Sequence, residues 1–477
     1  MVSLIFSALV LLGGIFATRT SVLSWQMAFC LFGATAALTL PNGAVITPSN
    51  LFLPFLLVRA FSENHGSHYI KRVPASGVWL GLAALMGIIG ATFVPRYLQG
   101  ELVVLTVDRQ GAMSRPSLYP LQPVSTNFTQ SVYAIGGVAA FLAFRALLER
   151  RGRISSFRDA ALLLCALDCT AGVLNLVEFH LHLPSLLKFV RNAYAVYDTY
   201  AGYGGLVRIH GTFSEASAYA AFTLPLCAFS FYLWLHRVRP WYTGTLAATS
   251  GVLLLISTSS TAYVGMIMYI TMLVFCLIYR GYVRGHVPRL GLIMAGLLLA
   301  LALVGALFVL ETRAGDRLSD YFAEKLVNKL GSSSGSERSM WNRHAWHNFL
   351  DTYGIGVGLG TARASSYALV LLSNLGAIGT LFYLMFLASI LRKPDPDPDP
   401  DEIVCEAAGQ AVLAGLSCAL VSAAVYDMGI AYYGFAASAS LAGAWCRSKP
   451  SASPRMHMSR AELLTEQRLT RRLIDQI

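Results

Sequence analysis

Charge is scarce in this sequence, and that scarcity limits the kinds of protein it can encode. Only 13% of its 477 residues are Asp, Glu, Lys or Arg, whereas 55% are hydrophobic, and the mean hydropathy is +0.57. Apolar runs repeatedly reach the length that crosses the roughly 30 Å hydrocarbon layer of a bilayer. Runs such as Val264–Tyr279 are continuously apolar, which excludes the alternating pattern of a membrane β-barrel. We therefore predict an all-α, polytopic membrane protein.

Cysteine motifs and metal-ligand spacings are also absent. The eight cysteines lie within or beside apolar runs, and no C-x-x-C pair or His–Cys spacing occurs. We therefore predict neither disulfides nor zinc, and no metal or other cofactor. The net charge of +11 could suggest a nucleic-acid partner, but Arg and Lys cluster at the ends of apolar runs. Because the positive-inside rule places them there, we interpret the charge as membrane topology and expect no nucleic acid.

The apolar runs predict about twelve or thirteen membrane spans. The first resembles a signal-peptide core, but no A-x-A cleavage site follows, so we expect it to be retained. The candidate spans are Val2–Ala17, Val22–Leu40, Leu51–Phe61, Gly77–Val94, Ser131–Leu148, Asp159–Leu176, Ser217–Leu235, Leu246–Ile256, Ala262–Tyr279, Gly291–Leu310, Ala364–Leu391, Ala407–Val425 and Ile430–Trp445.

Basic clusters orient these spans. Arginines between 145 and 158, at 237 and 239, at 280 and 284, and the Arg392–Lys393 pair indicate cytoplasmic loops. Alternation then sends residues 95–130, 178–211, the turn Ser257–Thr261 and residues 311–363 to the outer face. We predict a membrane domain over residues 1–446 and a cytoplasmic basic tail over 447–477. The segment KPDPDPDPDE after Arg392 predicts an extended linker, because proline at every second position excludes helix and sheet.

A first polar site stands where an outer loop enters a span, in the segment RIHGTFSEASAYA. Arg208 and Glu215 flank this entry, Gly211 permits a tight turn and Phe213 can anchor it. An arginine here can bind a phosphate in bidentate fashion and stays charged at any working pH. The structural alternative is an arginine that reaches the interface and pairs with the nearby glutamate.

A second polar site follows in the loop 311–363. Helical spacing predicts a helix over Asp316–Leu330, a break at GSSSGS and an amphipathic helix from Arg338 to Leu350. On the second helix Arg343 and His347 are four residues apart and share a face, while His344 and Asp351 lie on an adjacent one. Anion-binding and proton-transfer groups would then be neighbours. Alternatively, the histidines are ordinary surface residues.

The order of these features resembles the O-antigen polymerase and O-antigen ligase superfamily. It runs from R-x-x-G-x-F at Arg208, through the turn Ser257–Thr261 and a large outer loop, to G-x-G-x-G and the closing G-x-x-G at Gly376. The resemblance covers roughly Arg208–Phe382 and implies a C-type glycosyltransferase of the bacterial inner membrane. Such enzymes act without a metal on undecaprenyl-diphosphate-linked glycans at the periplasmic face. Arg208 would match the arginine that contacts the donor diphosphate.

Departures from the family pattern favour a polymerase over a ligase. Ser365 and Ser366 stand where ligases carry His-Asn, and Thr261 stands where many members have arginine. The segment GLGTARASS, with Arg363, instead resembles exopolysaccharide polymerases. A further pattern that resembles these polymerases, Arg followed by ten residues and Gly, begins at Arg191 and again at Arg343.

The resemblance therefore implies polymerisation of lipid-linked repeat units into exopolysaccharide or O-antigen. Glu215 is the first candidate for the catalytic base and His347 the second. The expected partners are carrier-linked donor and acceptor glycans, membrane lipid, a chain-length regulator and a flippase. An O-antigen ligase and a lipid-linked glycan flippase or transporter are the alternatives. Donor and sugar binding would fall to five arginines: Arg208, Arg338, Arg343, Arg363 and Arg191.

Overall fold

Thirteen α-helices make up nearly all the regular structure that the computed structural model describes. They are α1 (Val2–Phe16), α2 (Ser21–Cys30), α3 (Pro48–Glu63), α4 (Ala75–Tyr97), α5 (Ser125–Leu148), α6 (Arg153–His180), α7 (Ala216–Leu235), α8 (Pro240–Ile256), α9 (Ser260–Val283), α10 (Ser333–Asp351), α11 (Tyr367–Ile390), α12 (Pro400–Ser422) and α13 (Ile430–Ala439). Two short antiparallel hairpins join them, β1 (Leu38–Thr39) with β2 (Val45–Ile46) and β3 (Val103–Asp108) with β4 (Arg115–Pro120). The described residues are 2–18, 20–39, 45–63, 73–108, 115–150, 152–183, 185–193, 208–257, 259–283, 333–391 and 398–442.

Seven of the described helices are long and apolar enough to cross a membrane, namely α4, α5, α6, α7, α9, α11 and α12. The prediction of an all-α, multi-pass membrane protein is therefore confirmed. Helix α12 lies deepest in the bundle, where it packs against α7, α9 and α13. Its buried positions include Ala407, Ala408, Ala411 and Ala414. Small side chains allow neighbouring helix backbones to approach closely, which is how helices associate in lipid.

The alternation of the helices brings several connecting segments to one end of the bundle, which we call the loop end. They include the described residues of 98–124 and of 181–215, residues 352–366 and residues 423–429. A contact between distant segments supports this arrangement, since Thr126 at the start of α5 donates to the Gly360 carbonyl at 2.7 Å. At the opposite end Arg158 and Arg239 both pair with Asp159, at 2.9 and 3.1 Å.

The predicted span Val22–Leu40 is wrong in its second half. Helix α2 ends at Cys30, and residues 31–37 form an irregular segment at the loop end. Polar contacts hold this segment, since Thr212 donates to the Leu31 carbonyl at 2.6 Å and the Ala36 amide donates to the Asn192 side chain at 2.7 Å. These bonds use backbone groups that a continuing helix would need internally, so hydrophobicity alone misplaced the helix end.

The predicted outer loop 95–130 contains regular structure that was not expected. Strands β3 and β4 form a hairpin, and α5 begins at Ser125 rather than at Ser131. Val104 and Leu121 of this region are buried against Val357 and Ala362. The hairpin therefore covers one side of the second polar site.

The proline-rich linker is shorter than predicted. Asp399 caps α12 by accepting from the Glu402 amide at 2.9 Å, and Pro400 occupies the first turn, where its missing N–H costs no hydrogen bond. The last residues of KPDPDPDPDE are therefore helical. The predicted span Gly291–Leu310, the helix Asp316–Leu330 and the tail 447–477 lie outside the described residues.

Candidate functional site at the loop end

A loop of alternating glycines lies at the centre of the loop end. Gly354, Gly356, Gly358 and Gly360 all have positive φ, between 79° and 88°. Side chains disfavour this left-handed conformation, which is why glycine recurs at every second position. A Cβ on Gly358 would lie 2.6 Å from the carbonyl atoms of Gly90 in α4. The glycines therefore allow this loop, residues 354–360, to pack directly on helix backbone.

The glycine loop enters a break in α11. Gly376 interrupts that helix with φ 71° and ψ −176°, although the sequence predicts one continuous span. The Val357 amide donates to the Ser373 carbonyl at 2.7 Å, and the Ala377 amide donates to the Gly354 carbonyl at 2.8 Å. The loop thus supplies partners for backbone groups near the break, as irregular backbone among membrane helices requires.

Two asparagines hold the far side of the glycine loop. The Asn127 amide of α5 donates to the Leu359 carbonyl and to the Thr361 hydroxyl, both at 2.7 Å. Asn374 of α11 accepts from the Gly360 amide at 3.2 Å. Since so many of its polar groups are engaged inside the protein, we interpret the glycine loop as a rigid support rather than a phosphate-binding loop.

Arg363 follows this support and projects toward α10. Its guanidinium lies over the Trp341 ring, 4.4 Å from the ring centre, and its backbone amide donates to the Leu105 carbonyl of β3 at 3.3 Å. Two residues on, the Ser365 amide donates to Asn342 of α10 at 2.8 Å. Stacking on tryptophan holds the flat guanidinium in one plane, which favours bidentate contact with phosphate oxygens.

Helix α10 confirms the amphipathic helix predicted over Arg338–Leu350. Arg343 and His347 are both exposed and share a face, as the spacing predicts, whereas Arg338 is partly buried. The exposed surface also carries Trp346 and Leu350, which are 42% and 49% accessible. Basic groups beside exposed tryptophan and leucine are typical of a helix that lies at a lipid–water interface.

Arg191 has partners inside the protein. It is 5% exposed, contacts the His210 ring through Nη1 and donates from Nη2 to Ser185 at 2.8 Å. Glu178 stands beside it and accepts from the Leu186 amide at 2.6 Å. These bonds hold the described residues of the 178–211 loop together. Arg191 has a clear structural role, and its predicted role in substrate binding stays a prediction.

Arg208 and Glu215 do not form the ion pair that the structural alternative required. Arg208 is partly buried and makes no hydrogen bond or ion pair with any described residue, while Glu215 is exposed at the start of α7. Among the described residues, no hydrogen bond or ion pair joins either one to Arg338–Arg363. Thr212, between Arg208 and Glu215, instead donates to the Leu31 carbonyl after α2.

Sequence reasoning missed Asp427, which lies at the loop end between α12 and α13. It is partly buried, and one carboxylate oxygen accepts from the Gly429 amide at 3.1 Å. Burial raises the pKa of Asp427 from 3.8 to about 6, against the opposing effect of the Gly429 hydrogen bond. The sequence did contain a signal for this residue, because Asp427 is the only Asp, Glu, Lys, Arg or His between Glu406 and Arg447.

A second missed carboxylate lies inside the bundle. Asp168 of α6 is fully buried, and its Oδ2 accepts from Thr223 of α7 at 2.8 Å. Its Oδ1 and the Tyr219 hydroxyl nearby have no hydrogen-bond partner among the described residues. Polar groups therefore also lie inside the bundle, away from the loop end.

Comparison of the chain with protein-family models, with curated protein sequences and with solved structures finds no match. Within the described residues, no three His, Cys, Asp or Glu side chains are grouped closely enough to hold a metal ion.

Proposed function

We propose that the protein polymerises oligosaccharide repeat units linked to undecaprenyl diphosphate, at the periplasmic face of a bacterial inner membrane. A hydroxyl of an acceptor unit attacks the anomeric carbon of a donor glycan, and the lipid diphosphate departs. Because the diphosphate is a good leaving group, the protein must mainly stabilise its charge, orient two lipid-linked substrates and accept a proton.

The observation that carries this proposal is a group of arginines at the loop end that have no carboxylate partner. Arg208, Arg338 and Arg343 form no ion pair with any described carboxylate. Uncompensated guanidinium groups at one end of a membrane protein suit a lipid-linked polyanion such as a diphosphate.

Two further features support the same substrate class. The Arg363 guanidinium is held flat by Trp341, and the exposed surface of α10 combines Arg343 with Trp346 and Leu350. A lipid diphosphate needs both, since its phosphates take arginine while its polyprenyl tail takes apolar side chains at the interface.

Deletion of the gene is expected to leave single repeat units on the lipid carrier and to remove long polymer, because only the joining step is lost. Mass spectrometry of extracted lipid carriers, together with gel analysis of surface polysaccharide, measures both products. Full-length polymer that remains on the carrier would instead indicate a ligase. Reintroduction of the intact gene should restore the polymer, and normal polymer in the deletion strain would contradict the proposal.

A transporter for the same lipid-linked glycan is the second candidate, and Asp168 favours it. A carboxylate at this depth without a cationic partner is costly in its charged form, and in membrane proteins such groups often carry protons during transport. The pairing of Asp168 with Thr223 fits that role. It fits a neutral structural hydrogen bond equally well.

Substitution of Asp168 separates these two functions. If polymerisation is the activity, Asp168→Asn keeps near-normal polymer, because asparagine has the shape of a protonated carboxyl group and still accepts from Thr223. If proton-coupled transport is the activity, the variant loses it, since an amide cannot carry the proton. Repeat units would then accumulate in the inner leaflet, which labelling of each leaflet with a membrane-impermeant reagent detects. Thr223→Val, which removes only the hydrogen bond, is the matched control.

A further inference from the structure

We propose that Asp427 is the base that takes the proton from the acceptor hydroxyl in the polymerisation reaction. This inference rests on the proposed function and names a residue that neither motif nor spacing indicated. The position of Asp427 supports this role, because the segment 423–429 lies at the loop end beside the first turn of α11. The Tyr367 hydroxyl at the start of α11 donates to the Tyr426 carbonyl at 2.9 Å. Asp427 therefore lies next to α11, the helix that follows Arg363 and Ser365 in the chain.

The two carboxylate oxygens of Asp427 differ in their hydrogen bonds. One is held by the Gly429 amide at 3.1 Å, and the other makes no hydrogen bond with any described residue. The residue is partly exposed, so the second oxygen is not sealed inside the protein. A carboxylate fixed by one oxygen and open at the other can accept a proton in a defined direction.

Three tyrosines lie in the neighbourhood of this carboxylate. Tyr367, Tyr426 and Tyr433 lie close enough for its charge to act on them. The hydroxyls of Tyr426 and Tyr433 are buried and have no hydrogen-bond partner among the described residues. Buried polar groups are rarely left unpaired without a functional reason, so these two hydroxyls mark the surroundings of Asp427 as unusual.

The residues favoured by sequence fit the role of base less well. Glu215 and His347 are both exposed on helix surfaces, and no described residue bonds either side chain. Asp427 is partly buried in an environment that raises its pKa to about 6. A base is most effective when its pKa lies near the working pH, and Asp427 is ionised at neutral pH while remaining a stronger base than an ordinary aspartate.

In this step the acceptor hydroxyl is deprotonated while its oxygen replaces the diphosphate on the donor sugar. The acceptor oxygen loses its proton to the free oxygen of Asp427 and forms a bond to the anomeric carbon of the donor. The bond between that carbon and the diphosphate oxygen breaks, and the electron pair leaves with the undecaprenyl diphosphate. Asp427 then returns its proton to water at the loop end.

The test is Asp427→Asn in the full-length protein, reconstituted in vesicles with carrier-linked repeat units extracted from the deletion strain. Asparagine still accepts from the Gly429 amide, so the turn before α13 is kept while the base is lost. We expect the polymerisation rate to fall by about 100-fold or more, the usual contribution of a general base, with little change in KM. Asp159→Asn, at the opposite end of the bundle, is the matched control and should retain the full rate.

The pH profile gives a second readout. The described titratable groups around Asp427 are Tyr367, Tyr426 and Tyr433, and no described cationic side chain pairs with it. The rate of the unaltered protein should therefore fall as pH drops through about 6, where Asp427 gains a proton. Asp427→Glu should keep activity with this acid limb displaced.

Each outcome decides the inference. A rate for Asp427→Asn within about threefold of the unaltered protein would overturn it, as would a loss confined to Glu215→Gln or His347→Gln. If Asp427→Asn does not accumulate, Asp427→Glu decides, because an acid limb that does not move excludes Asp427 as the base. Failure of the proposed function itself looks different, since the deletion strain would then contain no carrier-linked single units to extract.

Discussion

Alanine at Gly358 is expected to prevent the loop end from folding. The new Cβ would lie 2.6 Å from the Gly90 carbonyl atoms and 2.7 Å from the Ala91 Cα, and these are backbone atoms that cannot rotate away. The left-handed conformation at φ 88° adds about 1–2 kcal/mol of strain. With overpacking of typically 1–3 kcal/mol, the total reaches about 2–5 kcal/mol, a large part of the stability of most domains. The amount of protein in membranes and its melting temperature in detergent measure the effect.

The matched control is Gly81→Ala in the same helix as Gly90. A Cβ on Gly81 meets nothing within 4 Å, and its φ is not positive. Alanine is better than glycine inside a helix by about 1 kcal/mol, so this variant should be as stable as the unaltered protein or slightly more stable. Equal stability of Gly358→Ala and Gly81→Ala would contradict the packing of the glycine loop on α4.

Removal of the guanidinium groups at Arg208 and Arg363 is expected to abolish polymer while the protein remains in the membrane. Hydrogen bonds to charged groups contribute about 1.5–3 kcal/mol each, so either alanine variant should lower kcat/KM by about 10-fold to 150-fold. The double variant should fall below detection. Arg363→Lys should also be impaired, because an ammonium neither stacks on Trp341 as a flat ion nor contacts two phosphate oxygens in parallel. Polymer length on gels and turnover in vesicles provide the measurements.

Arg96→Ala is the control for charge at the loop end. Arg96 is exposed at the end of α4 and donates to the Thr92 carbonyl of its own helix. Its loss lowers the local positive charge without touching Arg208 or Arg363, so polymer should be normal. Long polymer from Arg208→Ala would exclude a role for that arginine in donor binding. An equal loss of polymer from Arg96→Ala would show that the loss reflects net charge at the loop end and not specific contacts.

Local patterns predicted much of this protein. Long apolar runs indicated the membrane helices, because each helix satisfies its own backbone hydrogen bonds and needs only a lipid-compatible surface. The 3.6-residue period placed Arg343 and His347 on one exposed face of α10. The positions of Arg208 and Glu215 at the entry to α7 also followed from the sequence. All of these features depend on residues close together along the chain.

Contacts between distant segments decided the rest. Hydrophobicity extended α2 beyond Cys30, where Thr212 and Asn192 from distant parts of the chain bond the backbone of Leu31 and Ala36 instead. The left-handed glycine loop could be suspected from its spacing, but the break it enters at Gly376 could not. Such a break is stable only because amides and carbonyls of the loop pair with those of α11 across the bundle.

The candidates for the catalytic base illustrate the same distinction between local sequence patterns and tertiary contacts. The sequence by itself determined a multi-pass helical protein with arginines gathered in particular loops, since hydropathy and charge spacing are local properties. Only the tertiary structure decided that Arg191 is engaged by His210, and that Asp427 stands beside Tyr367 with one oxygen unbonded to any described residue. Burial and hydrogen bonding by distant residues set the chemistry of a side chain, and these arise only when the helices pack.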